Sequence, residues 1–342
     1  MRAIRWISCL LLAGCSSAVN GHSVPVGASH ATFAASQTIA AIRTPGPSTA
    51  SGQSQPAPGH ASTINEKMTG TAKSPSVPES APANTAATAP PAHGQFDYQI
   101  GGPYVPRPSV QIVDRDRTES PVPGKYNICY VNALQTQPDE DGQSSSSPPY
   151  GTTQWWLKNH GDLLVRDHSG AIVLDPQWNE AIIDVSTALK RRAVFAIEQP
   201  WIDGCKKSGF NAIEPDNLDS YDRSGGAFAF DADSAYMRLV VPYAHSKGLA
   251  VAQKNANSEF GSTGKSVYGF DFAITEDCAH YSECEDYTNV YGANVIEIEY
   301  TDSPLADFTK SCTARGRTIS IIRRDRNVVP LGAAAYSYAL CP

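Results

Sequence analysis

The stretch Asn211-Ala212-Ile213-Glu214-Pro215-Asp216-Asn217 runs from apolar residues into carboxylates. Its apolar start reads as a buried strand, and its polar finish as the point where that strand leaves the core. Helical spacing flanks it over residues 200–208 and 233–246, and Gly209 and Gly248 stand where helices commonly end. A strand between two helices is the repeating unit of a parallel α/β fold.

Outward from this unit, β-rich runs recur at residues 110–113, 126–132, 181–185, 211–214, 249–253, 270–275, 295–300 and 318–322. A further helical segment, 303–314, is closed by Gly316. Eight runs with helices between them predict a (β/α)8 TIM barrel, class α/β, rather than an antiparallel sandwich. Residues 98–100 would be a preamble or an extra strand. Residues 96–342 form one domain of the length such a barrel needs, about 250 residues. Barrel active sites lie at the carboxyl ends of the strands. After the fourth run these ends carry Glu214, Asp216 and Asp222, after the fifth Lys254 and Asn255, and after the sixth Glu276 and Asp277. Glu297 and Glu299 share one facing on the seventh.

Residues 16–95 are dominated by Ala, Ser, Thr, Pro and Gly and offer few large side chains to bury. They are expected to form a disordered linker, extended where Pro75, Pro78, Pro82, Pro90 and Pro91 cluster. Before it, Arg2 and Arg5 precede an apolar run, 6–13, too short to span a bilayer, so residues 1–15 read as a signal peptide. Leu12-Ala13-Gly14-Cys15 resembles the lipobox of bacterial lipoproteins. That resemblance implies lipidation of Cys15 and a tethering role for the linker. Ser16, where an aspartate would favour the inner membrane, favours the outer one. An ordinary cleaved signal with an incidental Cys15 is the alternative.

Beyond Cys9 and Cys15 the cysteines are 129, 205, 278, 284, 312 and 341, an even set compatible with three disulfides outside the cytoplasm. Cys278 and Cys284 are the nearest pair, and Cys312 with Cys341 would pin the C-terminal tail. Cys129 and Cys205 read equally well as a bridge or as two buried thiols. No paired Cys-x-x-Cys motif speaks for zinc, and no cofactor is expected. The net charge of −7 argues against a nucleic-acid surface and accords with a cationic substrate.

Carboxylates at several strand ends, without a serine nucleophile motif or a phosphate loop, point to acid and base work on a glycosidic bond. One carboxyl group must be protonated to assist the leaving oxygen, and a second ionised to attack or to activate water. Asp216 and Glu276 end the fourth and sixth runs, so they can flank one bond. Glu214-Pro215-Asp216-Asn217, Lys254-Asn255, Glu276-Asp277-Cys278 with Cys284 beyond, and Ile298-Glu299-Tyr300 together resemble glycoside hydrolase family 114. The likeness covers nearly all of residues 96–325, and members of the family are endo-acting α-1,4-polygalactosaminidases. The resemblance implies a TIM barrel acting, without a metal, on polysaccharide rich in galactosamine or N-acetylgalactosamine. By position it makes Asp216 the nucleophile and Glu276 the acid/base of a retaining double displacement. Lys254, Asn255 and Tyr130 would hold sugar hydroxyls, and Glu299 would line the mouth. Asp222, Asp277 or Glu299 would bind the sugar's ammonium group. Ser220, Ala256 and Asp277 depart from the family's usual glycine, aspartate and glutamine, which bears on subsites rather than on the catalytic pair.

A second class of reading is a catalytically inactive carbohydrate-binding lipoprotein that uses the same barrel mouth. Glu214 reads equally as a substrate contact or a buried hydrogen-bond partner. Among Trp155, Trp156, Trp178 and Trp201, Trp156 is the best candidate for stacking on a sugar. Residues 135–151 read as a mobile loop near the mouth. Arg323, Arg324 and Arg326 read as a solvated turn. The protein is expected to act as a monomer outside the cytoplasm, touching a membrane only through a lipid anchor.

Overall fold

The computed structural model describes residues 87–139 and 149–342. The signal peptide, Cys15, most of the expected linker and the centre of the 135–151 loop lie outside the described residues. Nine strands follow the chain: β1 (Phe96–Tyr98), β2 (Ile112–Asp116), β3 (Tyr126–Asn132), β4 (Ala212–Asp216), β5 (Ala250–Lys254), β6 (Phe272–Glu276), β7 (Val295–Tyr300), β8 (Ser320–Arg324) and β9 (Tyr338–Leu340). They pair in sequence order, parallel from β1 to β8, with β9 antiparallel on β8. The sheet curls until β8 returns to β1. The Ser320 hydroxyl donates to Gly94 O at 2.7 Å, and the Tyr338 hydroxyl on β9 donates to Phe96 O at 2.8 Å. Helices α1 (Thr153–His160), α2 (Ala188–Ser208), α3 (Phe230–Ser246), α4 (Asn257–Phe260), α5 (Cys278–Tyr281), α6 (Cys284–Tyr291) and α7 (Leu305–Arg315) lie in the connections.

The period of two along each strand sorts side chains between two cores. Phe96, Ile112, Ile128, Ala212, Ala250, Ala252, Phe272, Ile274, Ile296, Ile298 and Ile322 fill the barrel lumen. Cys129, Ile213, Val251, Ala273, Val295 and Ile321, from the alternate positions, pack outward with Trp156, Trp201, Tyr236, Met237 and Phe308 of the helical layer. Facing is therefore settled residue by residue, and the inward row that ends β4, β5 and β6 is acidic, basic and acidic.

The eight parallel strands differ from the expected set at one place. Residues 181–185 are buried, but they pair only through isolated antiparallel bridges to residues 135, 164 and 174. Their alternation reflects a buried excursion between β3 and β4, and Phe96–Tyr98 supplies the missing strand instead. Residues 87–95, expected in the linker, pack on the amino end of the barrel. Ala87 and Ala89 touch the lumen core, and the Tyr126 hydroxyl donates to Thr88 O at 2.6 Å.

Helix α2 begins twelve residues before the expected start at Pro200, because Thr187 caps it by accepting from Lys190 N. It ends at Gly209, whose φ of 100° lets the chain reverse without a clashing Cβ. All three disulfides form: Cys129–Cys205, Cys278–Cys284 and Cys312–Cys341. Trp156 is fully buried in the outer core, so it cannot stack on a sugar. The arginine cluster is no solvated turn. Arg324 is buried and bonded to Asp325 and to the Ser337 and Val329 carbonyls, and Arg326 holds Asp277 and Asp302.

Candidate active site

A cavity of about 470 Å³ opens at the carboxyl ends of the strands. The strand ends place Tyr98, Asp116, Tyr130, Asp216, Lys254, Glu276 and Tyr300 on its wall. The strands leave the barrel abruptly: Asn217, Asn255 and Asp277, each the first residue past its strand, adopt positive φ of 63°, 44° and 53°. Asn and Asp tolerate this left-handed conformation better than other side chains. The turn at Asn217 brings its own N–H onto Asp216 Oδ1 at 2.7 Å.

Lys254 organises the floor. It is 1 % exposed, and its Nζ lies 2.9 Å from Glu214 Oε1, 3.2 Å from Asp216 Oδ2 and 3.4 Å from Glu276 Oε2. Burial opposes this charge, but the carboxylates of Asp216, Glu214 and Glu276 outweigh it and raise Lys254 well above the usual lysine range. Asp216 also accepts from the Tyr130 hydroxyl at 2.8 Å. Burial pushes the Asp216 carboxyl up, yet Lys254, the Asn217 N–H and Tyr130 reverse this and hold it below the usual range. It is an anion fixed by three donors.

Glu276 sits in a different cradle. Asn255 Nδ2 donates to its Oε2 at 2.8 Å while its backbone N–H donates to Asn255 Oδ1 at 2.8 Å, and the Tyr300 hydroxyl donates to Oε1. Tyr300 and Tyr130 are raised well above the usual tyrosine range, first by burial and then by Glu276 and Asp216 respectively, so both remain neutral donors.

Beneath the floor, Glu214 accepts from the Tyr98 hydroxyl at 3.2 Å. Asp114, inward on β2, is raised well above the carboxylate range, mainly by burial and then by Glu214. Neither Asp114 oxygen nor Glu214 Oε2 has another partner among the described residues, and one proton on Asp114, donated to Glu214, satisfies both groups.

The expected contacts divide accordingly. Tyr130, Lys254, Asn255, Asp216 and Glu276 meet at the cavity. Glu214 does not line it, because it lies one inward position deeper on β4 and serves as a buried partner of Lys254. Glu299 does not line it either. On β7 Ile296, Ile298 and Tyr300 take the inward positions, so Glu299 faces outward, where it accepts from Ala279 N at 2.9 Å. Asp222 is exposed in the 3₁₀ turn Ser220–Arg223, outside the cavity. Asp277 is held by Arg326 at 2.6 Å and by Tyr300 N at 3.1 Å, so it does not compete with Glu276.

Asp116, Asp175, Trp178, Glu180, Arg223 and Arg326 line the cavity without having been expected there as sugar contacts, apart from Trp178 as a lesser stacking candidate. The β3–β4 excursion supplies Asp175, Trp178 and Glu180, and of these only Trp178 was a candidate from the sequence. A metal has one geometric opening among the described residues. Cys278, Cys284, Glu297 and Glu299 bring ligand atoms within 4.8 Å of one another, but both sulfurs belong to a disulfide.

Carboxylates at the ends of β4 and β6 around one cation can work on a single glycosidic bond. The crystal structure of Ega3 from Aspergillus fumigatus in complex with galactosamine is similar in fold, with a TM-score of 0.55 and 19% identity over 75% of this chain and 98% of that one. The glycoside hydrolase domain of PelA from Pseudomonas aeruginosa matches with a TM-score of 0.45 and 12% identity, covering 70% of this chain and 97% of that one. No curated protein sequence matches. The sequence model of glycoside-hydrolase family GH114 matches residues 77–341, the whole barrel together with its strand-end motifs. By that match the chain belongs to family GH114, and the protein is a glycoside hydrolase.

Proposed function

We propose that the protein is an endo-acting glycosidase that cleaves α-1,4-linked polysaccharide rich in galactosamine and N-acetylgalactosamine by a retaining double displacement. The observation that carries this reading is the meeting of Asp216 and Glu276 at one ammonium group. Since both reach Lys254 Nζ, their nearest oxygens are less than about 7 Å apart, which admits the ~5–5.5 Å of retaining enzymes and excludes most of the ~6.5–9.5 Å range of inverting ones. Asp216 attacks the anomeric carbon while Glu276 gives its proton to the departing oxygen. Glu276 then takes a proton from the water that breaks the glycosyl ester. Once Asp216 is esterified it carries no charge, and Lys254 is left facing Glu214 and Glu276.

The substrate class rests on charge and on the family. Six acidic side chains line the cavity, Asp116, Asp175, Asp216, Asp219 and Glu276 with Glu180, whose carboxyl is raised to about 8, against three cations, Arg223, Lys254 and Arg326. That balance suits a polymer carrying ammonium groups. The linkage and the endo mode follow the family resemblance, and the galactosamine bound to Ega3 supports an amino sugar.

The test is incubation of the full chain with partially deacetylated α-1,4-polygalactosamine, followed by mass spectrometry of released oligosaccharides and NMR of the first product anomer. Wild type should release α-anomeric oligosaccharides and Asp216→Ala none, while Glu276→Gln should lose about 10²–10⁴ in rate. Equal activity of wild type and Asp216→Ala would refute the assignment. Three disulfides fit an extracytoplasmic location. We further propose that Cys15 carries a lipid anchor. Cys15→Ala should move the protein from the membrane to the soluble fraction, and unchanged fractionation would count against the anchor.

A further inference from the structure

The excursion between β3 and β4 brings Glu180 onto the cavity wall beside the nucleophile. Glu180 Oε2 accepts from Asn132 Nδ2 at 2.9 Å, and Asn132 is the register partner of Asp216 on the neighbouring strand. Asn217 Nδ2 in turn donates to Asn132 Oδ1 at 2.7 Å, so Glu180, Asn132 and Asn217 form one hydrogen-bonded ledge along Asp216. Glu180 Oε1 has no hydrogen-bond partner among the described residues. Trp178, 42 % exposed and two residues away, lines the same cavity and offers an apolar face to a sugar ring. The ledge therefore combines a ring platform with one uncommitted carboxyl oxygen on the wall that also presents Asp216.

We propose that Glu180 reads the amino substituent of the sugar, accepting from an ammonium group when ionised and donating to an acetamide carbonyl when protonated. The inference rests on the amino-sugar substrate proposed above. The groups that face Glu180 are Asn132 and Tyr130 on β3, Asp216 on β4, Asp175 on the excursion and Arg223 in the turn after β4. Burial raises its carboxyl to about 8, Asn132 opposes this, and Asp216 and Asp175 add to it against Arg223. Glu180 thus holds a proton at neutral pH in the empty site. An incoming ammonium displaces that proton, whereas an acetamide keeps it.

The same group accordingly serves both substituents, with the balance set by pH. From pH 6 toward 8 the preference for amine over acetamide should rise, because the proton that the ammonium must displace from Glu180 is held less firmly as pH approaches about 8. A glutamine at this position can still donate to a carbonyl but carries no charge for the ammonium, so Glu180→Gln separates the two roles.

The experiment is calorimetric titration of the full chain, wild type and Glu180→Gln, with galactosamine and N-acetylgalactosamine oligosaccharides at several pH values and in buffers of different ionisation enthalpy. Hydrolysis of both polymers is followed in parallel. Wild type should release about one proton on binding the amine at pH 6.5, and Glu180→Gln none. The variant should lose about tenfold or more in amine affinity, stay within about threefold for the acetamide, and show a flat preference with pH. Equal loss for both ligands, or an unchanged preference with hydrolysis intact, overturns the role of Glu180 and leaves the proposed reaction standing. Wild type that neither binds nor cleaves either polymer overturns both.

Discussion

Lys254 supplies one positive charge to three carboxylates at the bottom of the cavity, and it does so almost entirely out of water. A buried cation of this kind is held by its partners, and they by it, so removing it leaves charge with no solvent to receive it. Lys254→Met should therefore cost about 3–5 kcal/mol of stability and abolish hydrolysis, as read by urea unfolding and oligosaccharide release. Adding Glu214→Gln to Lys254→Met removes the deepest stranded carboxylate, and it should recover part of the stability but none of the activity. A Lys254→Met variant as stable as wild type would show that the three contacts are incidental. The pairing also explains why Glu214, so close to Asp216 in sequence, plays a different part: one step of the two-residue period separates the cavity wall from its foundation.

At the scale of elements, the Cys129–Cys205 bridge ties β3, which presents Tyr130, to the last turn of α2 across a separation of 76 residues. Closing so long a loop restricts the unfolded chain by about 4–5 kcal/mol in the chain-entropy account, so the double variant Cys129→Ala, Cys205→Ala should melt at a clearly lower temperature. Identical melting of variant and wild type would contradict it. The barrel itself was legible in the sequence because buried parallel strands are continuous apolar runs, and β4 to β8 emerged nearly at their true places. Phe96–Tyr98 was glimpsed only as a preamble or extra strand at residues 98–100, three residues being too few for any period to register. Residues 181–185 misled for the converse reason: burial makes the apolar pattern, but only a partner makes a strand. In the site, Asp216, Glu276, Lys254, Asn255 and Tyr130 could be found because strand ends point at the mouth. Glu299 was misplaced because alternation says that Glu297 and Glu299 share a face but not which face is the lumen, and it is Ile296, Ile298 and Tyr300 that point inward. Glu180 and Trp178 went unnoticed as a unit because an irregular excursion, with no period to read, carries them in.

Across the whole molecule, the buried acids give stability a definite slope with pH. Burial lifts Glu180 and Glu299 to about 8 and Asp233 to about 7. Each holds a proton in the fold that the unfolded chain has already lost above about pH 5, so their effect on stability is favourable in acid and fades as pH rises through the folded values. His245, raised by the Asp271 carboxylate, acts in the same direction. Asp216 and Asp184, both held below the usual range by nearby lysines and hydrogen bonds despite burial, act in the opposite one, with stability present above about pH 4 and lost below it. The fold should therefore be most stable between about pH 4.5 and 6 and weaken steadily toward pH 9. Glu299 isolates one part of that slope. It lies against Glu297 behind the Cys278–Cys284 disulfide and accepts from Ala279 N, and a glutamine can keep both contacts without a charge. Glu299→Gln should thus melt with wild type at pH 5, above it at pH 9, and hydrolyse polymer at a rate within about twofold of wild type, since the side chain faces away from the cavity. Parallel melting curves at the two pH values would remove Glu299 from the account, and a large loss of hydrolysis would return it to the mouth.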